Sequence, residues 1–491
     1  MRAELILPRA LAGALAAAVL GAPAAAQTLD RTKEPPVAPA PALRVPTWTT
    51  ATLANGAQLL VSQRRGLPLV SFSVNFVGGT NQFEPAGKRG LGSLAVAMLN
   101  EGTSTKSGDE LSNAWQLLGT GVQGGLAGER GSLSFISTKQ RFPAAVALLT
   151  DMLVNPALPP EALERLRGRT LVQLQQARDQ PPVIAGRVFP RVLYGEAHPY
   201  GQSSSEETVR AITRDDVASF TRSYFQPGHA IVTVVGDVEP GAVKAMLDRT
   251  MASWTGSSPR PTFDYPSVPA PAATTIYLVD KPGAAQSSVS IGLPGPARDT
   301  PDYYALQVMN TTLGGFFQSR LNANIREKHG YSYGVRSQFA YGRGPGPFRA
   351  SGEIVTAKTD SALIEFMREL RGVQGERPFT QAELDQAKAS LIQSLPERFS
   401  STAAVNNTIT GLYLEGLPAD YYQRFAANVN AVTLDDLTRV ARRYIDLQHL
   451  AIVVVGDRSK IEAPLRATGV APIVILDGNG APVAATPAGT E

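Results

Sequence analysis

The sequence predicts an α+β fold built twice over: two duplicated domains of ~220 residues, each a mostly antiparallel sheet with helices packed on one face. Three observations carry this. First, Ala211 to Asp237 matches Ala431 to Asp457 without a gap at a shift of 220 residues, with 11 of the 27 aligned positions identical. A match of that length is the mark of a duplicated unit. Second, strand-like and helix-like segments come in blocks, with no strict βαβ rhythm, which favours helices on one face of an antiparallel sheet. Third, the 491 residues are 43% hydrophobic and only 18% charged, enough apolar material for sizeable cores.

The elements follow in order. Residues 1–26 read as a signal peptide. Arg2 and Arg9 supply a basic region, Ala10 to Leu20 an apolar run, and Ala24-Ala25-Ala26 a cleavage pattern with cutting after about Ala26. The apolar run falls short of the ~20 residues that cross a bilayer, so an exported chain with no stable membrane span is expected, with the periplasm as its destination. Residues 27–49, with Pro35, Pro36, Pro39 and Pro41, read as a Pro-rich tether. The first domain, 50–256, opens with an alternating strand at Leu69 to Phe76. A helix at Gly92 to Asn100, a strand at Gly131 to Ser137 and helices at Ala144 to Val154 and Leu163 to Gln175 follow. A linker at 257–273 carries five prolines. The second domain, 274–475, has strands at Gln286 to Leu293, Tyr333 to Phe339 and Phe348 to Ile354. Its helices fall at Pro301 to Leu313, Asp360 to Leu370 and Thr380 to Ser394. Residues 476–491 are Gly-, Ala- and Pro-rich and read as a disordered tail.

Composition narrows the chemistry. Lys and Arg total 46 against 42 Asp and Glu, a net charge of +4, too small for a nucleic-acid surface. With no cysteine there is no disulfide framework, thiolate metal site or Cys nucleophile. The four histidines, His198, His229, His329 and His449, are too scattered to place two ligands on one helix face. Gly342-Arg343-Gly344-Pro345-Gly346 reads as a turn rather than a phosphate loop, because no Lys-Ser/Thr follows it.

Several motifs in order resemble the pitrilysin/insulinase-type zinc peptidases, in particular the processing-peptidase-like group. They are Gly90-Leu91…Met98-Leu99…Glu101-Gly102-Thr103, Ala197-His198-Pro199-Tyr200-Gly201, Tyr224-Phe225-Gln226-Pro227, and Arg320-Leu321…Arg326-Glu327-Lys328-His329-Gly330-Tyr331-Ser332-Tyr333. The resemblance covers about Thr50 to Val474 and implies half of a clamshell. Active members carry H-x-x-E-H on the first helix, two zinc ligands one turn apart with the base between them. Here those positions read Ser93, Val96 and Ala97, and the place of the third ligand, a glutamate, is taken by Gln173. Catalytic zinc needs about three protein ligands. These four residues offer none, so no metal is expected in this chain and zinc is expected in a partner.

The second half keeps more. In the resembling enzymes an arginine and, seven residues on, a tyrosine hold the substrate backbone, and Arg326 and Tyr333 meet that spacing. A guanidinium fork suits peptide carbonyls and a phenol can donate to an oxyanion. On the residues alone the same stretch reads as a solvated helix end followed by aromatic strand residues. Gly314-Gly315 reads as a helix cap or turn; in the family a glycine-rich stretch of the silent subunit touches substrate.

The resemblance therefore implies a catalytically silent subunit of a periplasmic heterodimeric zinc metallopeptidase. Its partner would be a zinc-carrying homologous subunit and its substrate a peptide, with Arg326 and Tyr333 completing the partner's site. The alternative is a non-enzymatic peptide-binding or scaffold protein of the same fold.

Overall fold

A computed structural model describes residues 43–483. The expected signal peptide, most of the tether and the last residues of the tail lie outside them. Residues 43–483 belong to one compact unit made of two similar halves.

The first sheet contains β1 (Thr49–Thr52), β2 (Gln58–Gln63), β3 (Leu69–Val77), β4 (Gln123–Ala127), β5 (Arg130–Thr138) and β6 (Ala230–Gly236), in the spatial order β1-β2-β6-β3-β5-β4. The second contains β7 (Thr275–Asp280), β8 (Gln286–Pro294), β9 (Ser332–Phe339), β10 (Pro347–Val355), β11 (Ala451–Gly456) and β12 (Ile473–Leu476), ordered β9-β10-β8-β11-β7-β12. The duplication is thus visible in five strands of each sheet, and the sixth differs: β1 is N-terminal and antiparallel to its neighbour, β12 C-terminal and parallel. The β3 pairings are antiparallel and only β2–β6 is parallel in the first sheet; the second sheet has two parallel pairs, β11–β7 and β7–β12. The mostly antiparallel α+β reading holds.

Period-2 patterning decides which face each sheet buries. Along β3, Val70, Phe72, Val74 and Phe76 face one core, where Phe72 stacks on Phe135 at 5.1 Å and Phe76 meets Phe225 at 5.1 Å. That core is closed by α1 (Leu91–Met98), α2 (Phe142–Val154), α3 (Pro160–Ala177) and, after α4 (Pro181–Tyr194), by α5 (Arg214–Tyr224). In the second half the corresponding layer includes α6 (Tyr303–Asn310), α7 (Thr359–Arg371), α8 (Gln381–Gln393) and, beyond α9 (Thr402–Leu414), α10 (Leu434–Tyr444).

The opposite faces are not bare, an arrangement periodicity does not reveal. Helix α4, from the first half, packs Ile184, Ala185, Val188 and Phe189 against Val279, Val453 and Val455 of the second sheet. Helix α9, from the second half, lies on β3 and β6 of the first. There Asn406 Nδ2 donates to Ser71 O at 3.2 Å and Thr233 O at 3.1 Å, and Thr233 and Thr410 share a hydrogen bond of 2.7 Å. The two halves therefore exchange equivalent helices, and each sheet is completed by the other half.

The ordered structure extends past two expected margins. The end of the tether is packed: Trp48 Nε1 donates to Tyr413 Oη at 2.9 Å, and Ser62 Oγ donates to Thr47 O at 2.8 Å. The tail departs later than 476, because Val483 N donates to Ile475 O at 3.0 Å and Arg187 reaches Asn479 at 3.3 Å. Among the described residues no helix is long and apolar enough to cross a membrane.

Candidate functional site

Helix α1 begins at Gly90, where the chain turns with φ near +104°, and its first N–H groups are held by a buried carboxylate. Glu84 accepts from Gly92 N at 2.6 Å and from Gly90 N at 3.2 Å. Burial pushes the Glu84 carboxyl up; the two N–H groups and the Arg89 charge 3.9 Å away oppose that. The helix then packs on β4, α3 and α5. This is the position of the degenerate motif. Ser93 is exposed, Ala97 half-buried and Val96 buried. Val96 fills space against the edge strand: a Cβ added at Gly124 would lie 2.7 Å from Val96 Cγ1. Gln173 is exposed on α3.

Serine, valine, alanine and glutamine present no imidazole or carboxylate, so these residues do not fit a zinc ion. Among the described residues no group of three or more His, Cys, Asp or Glu could hold a metal ion. The histidines are committed elsewhere. His198 Nδ1 accepts from Tyr200 N at 3.0 Å, His229 Nδ1 lies 3.2 Å from Tyr224 O, and His449 Nδ1 lies 2.7 Å from Asp446. Burial lowers the pKa of His198 and His229 and favours their neutral rings. His329 is half-buried and stacks on Tyr331 at 4.9 Å.

The Arg326–Tyr333 region is different in kind. A helical segment, Asn322–Lys328, delivers Arg326 and ends at Gly330, whose φ of +65° lets Gly330 N bond Arg326 O at 2.9 Å and Tyr331 N bond Ile325 O at 3.0 Å. The chain then enters β9, the edge strand. Between Ser332 and Val335 the register slips, so Tyr333 and Gly334 together stand opposite Glu353 alone. A bulge of this kind re-aims a side chain. Ser332 Oγ, donating to Glu353 O at 2.7 Å, and Asn322 Oδ1, accepting from Val335 N at 3.2 Å, brace it on either side. Tyr333 emerges 89% exposed. The Arg326 guanidinium lies 5.4 Å from its ring centroid and 4.4 Å from that of Phe317, which is 62% exposed. The structure brings the two expected residues together and adds Phe317, which the sequence reading passed over. Its only signal there was an aromatic ahead of the Arg320 helix.

Gly314 is buried, and a Cβ on it would sit 2.4 Å from Ser337 N of β9. The glycine lets a helix turn approach the strand closely, as a packing role requires.

Two family models match the chain, the insulinase (peptidase family M16) model over residues 70–195 and the peptidase M16 inactive domain model over residues 211–391. An uncharacterized zinc protease of Streptomyces coelicolor is 26% identical over 80% of this chain and 86% of its own length. A non-peptidase homolog, YmxG, of Helicobacter pylori is 22% identical over 80% and 90%. Among solved structures, a peptidase M16 inactive domain from Pseudomonas fluorescens superposes with a TM-score of 0.77 and 25% identity, covering 84% of this chain and 98% of that one. The first half of the periplasmic protease PqqL from Escherichia coli gives a TM-score of 0.68 with 14% identity, covering 86% and 96%.

Proposed function

Because this chain belongs to the M16 (insulinase) peptidase family, we propose that it is the catalytically silent subunit of a periplasmic heterodimeric metallopeptidase whose zinc sits in a homologous partner. One observation carries the reading. The four positions where active members hold their ligands and base are Ser93, Val96, Ala97 and Gln173, yet Arg326 and Tyr333 stand together at the surface, a pairing with no structural need for so much exposure. In this reading Arg326 grips carbonyls of a bound peptide with its planar fork. The Tyr333 hydroxyl donates to the oxygen that gains negative charge at the scissile carbon. Positioning and charge stabilisation can come from a different chain than the metal, since both depend on geometry alone. Support for a two-subunit assembly comes from size: the chain matches 98% of the inactive-domain structure but only 50% of full-length PqqL. The periplasmic assignment rests on the basic, apolar and small-residue order of residues 1–26.

The test compares this chain alone with its affinity-purified native complex, measuring metal content and cleavage of a quenched peptide library. The expected result is a metal-free, inactive chain and a zinc-containing complex that loses activity on Arg326→Ala. Zinc and cleavage in the chain alone would overturn the silent-subunit reading. A complex that cleaves nothing would leave the peptide-binding or scaffold role in its place.

A further inference from the structure

The grip at Arg326 and Tyr333 acts on peptide backbone and has no side-chain preference of its own. The sheet face beside it does. Strand β10 pairs with both β8 and β9, setting Arg349 opposite Gly292 and Gln338, Ser351 opposite Ser290 and Arg336, and Glu353 opposite Ser288. Alternation places Arg349, Ser351 and Glu353 on the face away from the buried Phe348, Ala350 and Ile354, and directly opposed residues share that face.

No direct ion pair joins the charges on this face, although Arg349 and Glu353 feel each other's charge. Arg349 Nε and Nη2 both donate to the neutral Ser290 hydroxyl, at 3.1 and 2.7 Å, while its guanidinium lies 5.3 Å from the Phe189 ring of α4. Glu353 accepts from Ser288 Oγ at 2.8 Å. Arg336 is exposed, close enough for its charge to be felt at Arg349. Burial works against both partly buried charges, lowering the Arg349 pKa and raising that of Glu353. An anion arriving beside Arg349 would relieve the first cost. With two guanidinium groups against one carboxylate, the face is net cationic and keeps guanidinium N–H groups beyond the two that Ser290 takes.

We propose that Arg336 and Arg349 form a side-chain subsite for an aspartate or glutamate of the peptide held at Arg326 and Tyr333, so that this subunit selects acidic peptides. The inference rests on the function proposed above. Tyr333 and Arg336 are three residue steps apart on β9, about 10 Å at 3.3 Å per residue, so the acidic residue falls two or three positions from the gripped bond. Guanidinium groups meet a carboxylate through paired charge-assisted hydrogen bonds, which sets the side-chain class.

Fluorescence anisotropy on the full chain tests this, using labelled twelve-residue peptides that differ at one position walked along the sequence and occupied by Asp, Ala or Lys. At the reading position the Asp peptide binds about tenfold more tightly than the Ala peptide, the margin of a hydrogen bond to a charged group, and Lys binds more weakly than Ala. Arg336→Gln, at an exposed position, cuts the advantage of the Asp peptide over the Ala peptide. Arg326→Ala weakens all three peptides alike. Equal Asp and Ala affinities at every position would overturn the subsite while leaving the grip intact. An Asp preference that survives in Arg326→Ala at full affinity would support the subsite and overturn the grip. A chain that binds none of the peptides would overturn both.

Discussion

The guanidinium of Arg326 lies 5.4 Å from the ring centroid of Tyr333, across the turn made by Gly330. Neither side chain is there to fill a core. Tyr333 is 89% exposed, and the nearest charge to Arg326 is its neighbour Glu327 at 3.4 Å. An exposed cation–π contact contributes about 0.5–1 kcal/mol, enough to bias rotamers but not to hold a fold.

Tyr333→Phe separates the two roles. It keeps the ring, and with it the Arg326 contact, and removes only the hydroxyl. Thermal unfolding is expected to move by no more than about 0.5 kcal/mol equivalent, as for other surface changes. Turnover by the assembled complex is expected to fall about 10²–10³-fold, the loss typical of one oxyanion donor. Unchanged turnover would remove Tyr333 from the chemistry.

Asn406 tests the exchange of helices. Its amide donates to two backbone carbonyls of the first sheet, Ser71 O and Thr233 O, and its Oδ1 accepts from Ser73 Oγ at 2.7 Å. The residue is only 1% exposed. Asn406→Ala strands these partners without water, at about 1–3 kcal/mol for each buried group left unpaired. Chemical denaturation of the full chain should show a loss of at least 2 kcal/mol on that scale. A loss below 0.5 kcal/mol would mean that α9 is held without help from the Asn406 hydrogen bonds.

Much of this architecture is legible in the sequence. The 27-residue repeat and the alternation in Leu69–Val77 and Gln286–Pro294 give the duplicated sheets, and the Gly90-Leu91 and Gly102-Thr103 brackets fix Ser93, Val96 and Ala97 in register. What stays hidden depends on contacts between distant residues. Asn406 and Thr410 read as polar interruptions of an apolar helix, and only their partners in the other half explain them. Helix α4 is masked by Pro181, Pro182 and Pro190, the first two at its start and the third inside it. Arg336, Arg349 and Glu353 share one face only once strand register is known.

Acid should loosen the second half through Glu383. Its burial would raise the carboxyl, but the Arg320 guanidinium, at 2.6 and 2.7 Å, and the Thr380 N–H and hydroxyl outweigh that and hold it down to about 2. A carboxylate with a folded pKa below its unfolded value stabilises fully above the unfolded value, near 4.5, and loses that contribution as pH falls toward 2. Denaturation midpoints should therefore decline over pH 4.5 to 2, and Arg320→Gln should flatten that limb. An unchanged slope in Arg320→Gln would assign acid sensitivity to other carboxylates.

Two glycines, one packed against β9 and one within it, give opposite expectations. Gly314 abuts the strand from the core: an added Cβ would lie 2.4 Å from Ser337 N and 2.5 Å from Ser337 Oγ. The backbone atom cannot swing aside, because Ser337 pairs with Ala350 and its carbonyl accepts from Asn310 Nδ2 at 3.0 Å. Gly334, in the bulge, faces open space, its nearest neighbour being Asn322 Oδ1 at 3.9 Å from a built Cβ. Gly314→Ala should cost about 1–3 kcal/mol by overpacking and, by pushing β9 outward, weaken peptide binding at Arg326 and Tyr333 as well. Gly334→Ala should stay within about 0.5 kcal/mol. Measured side by side by denaturation and anisotropy, a tolerated Gly314→Ala would show that the turn can retreat from the strand, and a peptide-binding loss in that variant without destabilisation would point instead to direct contact between Gly314-Gly315 and substrate.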